Sequence, residues 1–297
     1  MLALTLAACT RAPAPTTTLP TAETGVVEPP ACPTFLPGEP VGVVAADRPD
    51  EISGLVWRDG VLWALDDGDK ALTALDPSGA VLATVELEAS TVLVDWEDLA
   101  PLGDRLLIGD IGDNLEARQN VRLLQVTPPA ITTSHQDWPV DAETVLQWPD
   151  GPHDAETLLA DPVSGDVLLV AKDHDGDTPI IRVGSPLPEV ALGVEVARLA
   201  FGEGFLQGNT LTTGGTVAPD GSAVVIRTYL DAFLWPRVPG EPWDTTFGRD
   251  PCRVDLAPQP QGETIAWSPD GLYTISEGVR PTVLLHAFDD AARRDNP

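Results

Sequence analysis

Four glutamates stand at the start of short apolar segments, and each segment is followed by a turn: Glu51, Glu97, Glu156 and Glu263. A carboxylate is costly to bury at the start of an otherwise apolar strand, so its recurrence predicts a function. Further acidic residues end the next apolar segment or lie just upstream of a glutamate. The candidate metal ligands are Glu51, Asp67, Asp95, Glu97, Asp110, Asp113, Asn114, Asp154, Glu156 and Glu263.

Calcium is the cation that this set of residues favours. Carboxylates around one opening repel each other unless they are protonated or bridged by a cation. Calcium takes about six to eight oxygen ligands, and short loops of Asp, Asn and Gly supply these at flexible spacing. Residues 173–177 look like the start of an EF-hand loop, but Gly184 stands where the bidentate glutamate would fall, which excludes an EF-hand. A solvated turn is the alternative interpretation of each acidic loop taken singly.

Positive residues near these carboxylates are few. The chain has two lysines, and one of them, Lys172, ends an apolar segment in register with the acidic positions. Lys172 and Arg227, with Tyr229 and Arg280, can hold an anionic group beside a metal, and salt bridges to the glutamates are an equally weighted alternative. The candidate catalytic residues are Glu97 and Glu156, as general bases, and Lys172 and Arg227, as anion-binding groups.

A repeated phrase predicts the elements that position these residues. One pattern recurs five times: a short segment that becomes apolar, a turn, and an apolar strand that ends on polar residues. The five copies start at residues 51, 97, 156, 215 and 263. These spacings are typical of β-propeller blades. Each unit has a third strand, and residues 41–46 precede the first unit and can complete the last blade. We therefore predict an all-β fold, a single β-propeller of five four-stranded blades closed by an N-terminal strand; six blades or a two-sheet sandwich are the alternatives.

The antiparallel order of strands predicts where the carboxylates lie. The start of the first strand and the end of the second strand lie at the same end of a blade, and the first strand lines the central channel. The glutamates and the polar residues that end the second strands are therefore predicted to surround one mouth of the channel. Two segments also fit a helical period: residues 190–201 and a short terminal helix over residues 287–294.

The N-terminus and the cysteines indicate export. Residues 6–9 (LAAC) resemble a bacterial lipobox, which would make Cys9 the lipidated first residue of the mature protein. The eight residues before Cys9 are shorter than a secretory signal, so we expect a start codon further upstream, and an ordinary apolar N-terminus is the alternative. Cys32 and Cys252 then remain as an even pair and are predicted to form a disulfide, with two buried thiols as the alternative.

The predicted organisation follows from these assignments. It comprises a signal peptide remnant (1–8), the lipidated cysteine with a Pro/Thr/Ala-rich tether (9–31), the propeller (32–290) and a C-terminal tail (291–297). No apolar run approaches the ~18 residues that span a bilayer, so attachment to the cell membrane would rest on the lipid alone. The expected location is outside the cytoplasm.

Charge and motifs exclude several classes of partner and reaction. The chain has 46 acidic and 17 basic residues and a formal charge of -29, which excludes nucleic acid and bare anionic membrane surfaces as expected partners. The sequence has no GxSxG, P-loop, GxGxxG or HExxH motif. The expected partners are a small anionic or neutral ligand bridged by the metal, or an envelope protein, and the chain is expected to be a monomer.

Three phrases carry a resemblance to known proteins: residues 95–98 (DWED), 109–114 (GDIGDN) and 149–156 (PDGPHDAE). With them the chain resembles a group of uncharacterised secreted or lipid-anchored bacterial β-propeller proteins, over about residues 50–285. More distantly, it is similar to β-propeller phytases, a resemblance that implies calcium with Lys and Arg side chains that bind and hydrolyse phosphate esters. The fourth unit departs from this pattern because it has no glutamate. Two functions remain: a binding or scaffolding module at the cell envelope and, as the alternative, a calcium-dependent hydrolase of phosphate or related esters.

Overall fold

A computed structural model describes residues 28–47, 49–173, 176–201 and 210–289. Strand β1 (Glu39–Val43) comes first in the chain and belongs to the last blade. Blade 1 consists of β2 (Ile52–Arg58), β3 (Val61–Asp66), β4 (Ala71–Leu75) and β5 (Val81–Leu87). Blade 2 consists of β6 (Trp96–Leu102), β7 (Arg105–Asp110), β8 (Val121–Val126) and, after β9 (His135–Trp138), β10 (Ala142–Gln147).

The remaining three blades follow the same antiparallel order. Blade 3 consists of β11 (Ala155–Ala160), β12 (Val167–Ala171), β13 (Thr178–Val183) and, after β14 (Val190–Leu192), β15 (Val194–Leu199). Blade 4 consists of β16 (Thr212–Val217), β17 (Ala223–Thr228), β18 (Ala232–Pro236) and, after the short helix α1 (Trp243–Phe247), β19 (Cys252–Val254). Blade 5 consists of β20 (Ala266–Ser268), β21 (Gly271–Ile275), β22 (Thr282–Ala287) and β1. The prediction of a five-bladed β-propeller is confirmed.

The core is divided among the five contacts between neighbouring blades. One cluster of buried apolar residues lies between each pair of blades, and the blade 5–blade 1 contact contains, for example, Tyr273 and Leu55. The first strands β2, β6, β11, β16 and β20 contact one another around the centre. They are covered on both sides, which is why β11 and β16 are buried along their whole length.

The ring is closed by joining the two ends of the described chain. Strand β1 pairs antiparallel with β22, with Glu39 opposite Leu285. A disulfide joins Cys32 to Cys252 in blade 4. Closure by an N-terminal strand and the disulfide are both confirmed, although the closing strand begins two residues before the predicted residues 41–46.

Two local details differ from what the sequence suggested. Residues 190–201 do not form a helix, because β14 and β15 occupy this segment. Strands β9 and β14 were not predicted; each adds a fifth strand by pairing parallel with the outer strand of a blade, β5 and β10 respectively. The predicted terminal helix lies largely outside the described residues, as does Cys9. Among the residues that are described, no helix is long and apolar enough to cross a membrane.

Candidate functional site

Each inner strand has a β-bulge near its start. In blade 2, Trp96 is opposite Asp110 and Asp98 is opposite Gly109, so Glu97 is the extra residue. Blades 1, 3 and 4 have the same register shift. In blade 5 Gly262 pairs with Ser276, and the next pair is Ala266 with Tyr273. Three residues (263–265) therefore lie opposite two (274–275), which is again one extra residue on the inner strand. The bulged positions are Ser53, Glu97, Glu156, Thr213 and Glu263.

This register corrects the predicted alignment of the repeats. Glu97, Glu156 and Glu263 occupy equivalent positions, but Glu51 lies two residues before the position that Ser53 occupies in blade 1. Glu51 is instead equivalent to Asp95, since each directly precedes the first paired residue of its inner strand. A bulge re-aims a side chain next to a site, so the fold places these carboxylates at one end of the channel.

We call this end the acidic mouth. Its members interact electrostatically with one another across blades 1, 2, 3 and 5, and Tyr229 of blade 4 lies among them. It comprises Glu51, Asp66, Asp67, Asp95, Glu97, Asp154, Glu156, Lys172, Tyr229, Glu263 and Glu277. Seven of the ten predicted metal ligands are therefore brought together here.

Glu97 is a buried carboxylate whose strongest electrostatic neighbours are all acidic. It is buried, and burial, followed by the charges of Glu156, Asp95 and Asp154, raises its pKa well above its ordinary value. Gly112 makes this crowding possible, because a methyl group there would lie 2.2 Å from Oε1 of Glu97 and 2.6 Å from Oδ2 of Asp95. Such a group is stable as an anion only beside a cation.

Lys172 is held by its neighbours in the mouth. Its ammonium group pairs with Glu156 and donates a hydrogen bond to the hydroxyl of Tyr229 at 2.9 Å. Burial lowers the pKa of Lys172, but the pairing with Glu156 outweighs burial and the net change is an increase. Burial raises the pKa of Glu156 to about 7 against the effect of Lys172. The structure therefore agrees with the alternative interpretation of Lys172, in which it forms a salt bridge with a glutamate of the mouth.

A second carboxyl pair lies in blade 5. Burial, and then a hydrogen bond with Glu277, raise the pKa of Glu263 to about 9. Glu263 is thus a protonated donor at neutral pH in this arrangement. Glu277 and Tyr229 were expected at the mouth but were not among the predicted metal or catalytic residues. Their signal in the sequence is their place directly after the second strands of blades 5 and 4.

Glu51, Asp66 and Asp67 form the most compact acidic group. One carboxylate oxygen of each lies within 4.8 Å of the others, so the group can hold a metal ion. Asp66 is buried and accepts hydrogen bonds from the backbone N–H groups of Asp50 at 2.9 Å and Gly68 at 3.1 Å, which fix its orientation. Burial, and then Glu51, raise the pKa of Asp67 to about 7. Oxygen donors of this kind suit calcium or magnesium.

Three further predicted ligands, Asp110, Asp113 and Asn114, do not belong to the compact acidic group. Asp110 is fully buried and pairs with Arg118 at 2.9 Å and with Arg122. Asp113 accepts hydrogen bonds from the backbone N–H groups of residues 117 and 118, and Asn114 is exposed. Asp110 and Asp113 act electrostatically on Asp95, so they lie near the acidic mouth. Two arginines compensate the charge of Asp110, and backbone N–H groups of its own loop bind Asp113. That these two residues bind metal stays a prediction.

Arg227, which was predicted to bind an anion, is held by hydrogen bonds inside the propeller. Its side chain is buried between blades 4 and 5, where it donates hydrogen bonds to the carbonyl oxygen of Thr264 at 2.6 Å and to the side chain of Gln259 at 3.3 Å. Burial lowers its pKa to about 9. An arginine with these partners stabilises the contact between two blades rather than a ligand at the mouth.

Comparison with known proteins found distant structural likenesses and no family. No protein-family model matches the chain, and no curated protein matches it. Among solved structures it is similar to one titled as the crystal structure of a nidogen/laminin complex, at 15% identity and a TM-score of 0.45, covering 77% of this chain and 73% of that chain. It is also similar to a luciferin-regenerating enzyme, at 12% identity and a TM-score of 0.42, covering 82% of this chain and 94% of that chain. At these levels neither likeness carries an argument about function.

Proposed function

We propose that this protein is a binding module of the bacterial cell envelope that holds a calcium ion at the acidic mouth and binds its ligand through that ion. The observation that carries the proposal is the burial of Glu97 against Asp95, Asp154 and Glu156. Lys172 is already paired with Glu156, so it does not neutralise the whole group. A divalent cation removes the repulsion and leaves coordination positions for a ligand.

Glu51, Asp66 and Asp67 are the proposed first ligands of the ion. Asp95 and Glu97 lie on the neighbouring blade and interact electrostatically with Asp67, so they can complete the oxygen shell. Calcium is preferred to magnesium because it accepts irregular arrangements of many oxygen atoms, whereas magnesium demands a near-octahedral one. Lipidation at Cys9 and a location outside the cytoplasm remain part of the proposal, supported by the lipobox resemblance in residues 6–9 and by the disulfide.

Calcium titration of the melting temperature tests the proposal. A ligand that binds only the folded state at ~100 times its Kd stabilises by about 2.7 kcal/mol, which raises the melting temperature of a chain of this size by roughly 5 °C or more. We expect this increase with calcium, a smaller one with magnesium, and none with an excess of chelator. An Asp67→Asn variant serves as the matched control, because it removes one proposed ligand and keeps the side-chain shape. A melting temperature that calcium leaves unchanged would rule the metal out.

A second candidate function is a calcium-dependent hydrolase of phosphate or related esters. Two observations favour it: the Lys172–Tyr229 hydrogen bond supplies donors for an anionic group, and Glu263 keeps a proton at neutral pH. The proton on Glu263 suits a general acid. A panel of phosphate and carboxylic esters, assayed with calcium and with chelator, separates the two functions. Turnover that needs calcium and falls in Glu263→Gln supports the hydrolase. The absence of turnover on every ester would exclude the hydrolase and leave the binding module as the proposed function.

A further inference from the structure

A cavity of about 400 Å³ lies at the end of the channel opposite the acidic mouth. The inner strands start at the acidic mouth and reach this cavity with their other ends, for example at Arg58, Ala160 and Val217. Its size falls within the range of roughly 300–1,000 Å³ that is usual for ligand sites. We call it the proline cavity, because four prolines and two tryptophans are among the residues that line it: Pro101, Pro162, Pro219, Pro269, Trp57 and Trp267.

The two tryptophans form a fixed aromatic surface. Trp57 stacks on Tyr273 with ring centroids 5.3 Å apart and planes 4° apart. Trp267 packs against Phe35 and Phe288, at centroid distances of 6.3 Å and 5.6 Å. Both tryptophans are only partly buried. Within the part of the chain that the structure describes, neither indole N–H donates a hydrogen bond, so both remain available to a ligand.

These features match an extended proline-rich segment. Such a segment adopts the polyproline II conformation, which has no internal hydrogen bonds and leaves its carbonyl oxygens without partners. Aromatic-lined surfaces bind it by packing on proline rings. The indole groups of Trp57 and Trp267 offer the N–H donors that its carbonyl oxygens need.

The chain itself contains such a segment. Residues 11–20 read RAPAPTTTLP, with prolines at positions 13, 15 and 20. The described chain begins at residue 28, is bonded through Cys32 to blade 4, and places Phe35 against Trp267 in the wall of the proline cavity. In polyproline II geometry the stretch from residue 20 to residue 28 can reach about 25 Å, which exceeds the width of such a cavity.

We propose that residues 11–20 bind in the proline cavity of the same chain. This inference does not depend on calcium or on the function of the acidic mouth. Binding in the same chain is favoured because a short linker raises the effective concentration of the segment to about the millimolar range. The tether then holds the propeller by the end that lies opposite the acidic mouth.

A competition experiment tests the proposal. A fluorescent peptide of residues 11–20 is titrated with the full chain and with a full-chain variant that carries Pro13→Ser, Pro15→Ser and Pro20→Ser. These substitutions lie outside the propeller blades, so they leave its fold intact. We expect the variant to bind the peptide about tenfold more tightly than the unmodified chain, because its own segment no longer competes. A matched control with Thr16→Ser, Thr17→Ser and Thr18→Ser keeps the prolines and should behave like the unmodified chain.

A second substitution locates the binding site. In the triple-proline variant, Trp57→Phe keeps an aromatic ring on Tyr273 but removes the indole N–H, and we expect it to weaken peptide binding about fivefold, the value of one hydrogen bond. Equal binding by the unmodified chain and the triple-proline variant, or binding by neither, would overturn the proposal. Peptide binding that Trp57→Phe leaves unchanged would also overturn it, since the peptide would then bind elsewhere.

Discussion

Two buried carboxylates of this protein differ in the charge of their neighbours. Asp110 and Glu97 both belong to blade 2, and both are buried. Asp110 lies between two arginines, Arg118 and Arg122. Glu97 lies among other carboxylates. The first is therefore part of the framework, whereas the second needs a proton or a bound cation.

Substitution of these two residues should change stability in opposite directions. Glu97→Gln removes a buried group whose charge is opposed by burial and by Glu156, so we expect a higher free energy of unfolding at about pH 8 in the presence of chelator. Asp110→Asn leaves the two arginines without their counter-charge, and we expect a loss of about 3 kcal/mol. Urea denaturation of both variants measures the two changes. A loss of stability in both would contradict this account of the acidic mouth.

At the residue scale the sequence predicted Glu97, Glu156 and Glu263 correctly as equivalent positions at the starts of inner strands. It placed Glu51 out of register, because Ser53 occupies the bulged position of blade 1 and the glutamate lies two residues earlier. It also misjudged Arg227. Nothing in the sequence distinguishes a cation at a strand end that faces solvent from one that donates to carbonyl oxygens of the next blade.

At the scale of elements, turns and apolar runs were sufficient to predict the four strands of each blade. The Asp59–Gly60 turn shows why: both residues have positive φ, at 51° and 85°, as a tight hairpin between β2 and β3 requires. Strands β9 and β14 were not predicted, because both pair parallel with a strand from another part of the chain. Such pairing depends on tertiary position and has no local turn signal.

The closing element gives a prediction of its own. The disulfide joins residues 220 positions apart and fastens the start of the described chain to blade 4. Constraint of so long a loop in the unfolded chain should contribute roughly 2–4 kcal/mol. We expect the double variant Cys32→Ser, Cys252→Ser to lose this amount in urea denaturation and to match the reduced unmodified chain. A variant as stable as the oxidised chain would show that β1 and β22 close the ring without help from the disulfide.

At the scale of the whole molecule, the two ends of the channel differ in chemistry. The acidic mouth gathers carboxylates where the inner strands start, and the proline cavity lies where they end. The described chain begins near the proline cavity, with Phe35 on Trp267. The candidate metal group and the proline cavity therefore lie at opposite ends of the channel.

The dependence of stability on pH should differ without calcium and with it. Burial raises the pKa of Asp67 and of Glu156 to about 7, and that of Glu263 to about 9. A carboxyl group with a raised pKa in the folded state stabilises the fold fully below its unfolded pKa, and this contribution is lost as the pH rises through the folded value. His286, whose pKa burial lowers to about 4, acts in the opposite sense, but only below about pH 6.5.

We therefore expect the melting temperature in chelator to fall as the pH is raised from about 6.5 to about 9. Calcium needs deprotonated carboxylates and competes with protons for them, so its stabilising effect should grow over the same range. Melting curves in chelator and in calcium at several pH values measure both trends, and Glu263→Gln is the control, because it removes the group that titrates last. A melting temperature that rises with pH in chelator, or a calcium effect that is constant across the range, would show that these carboxyl groups do not share one site.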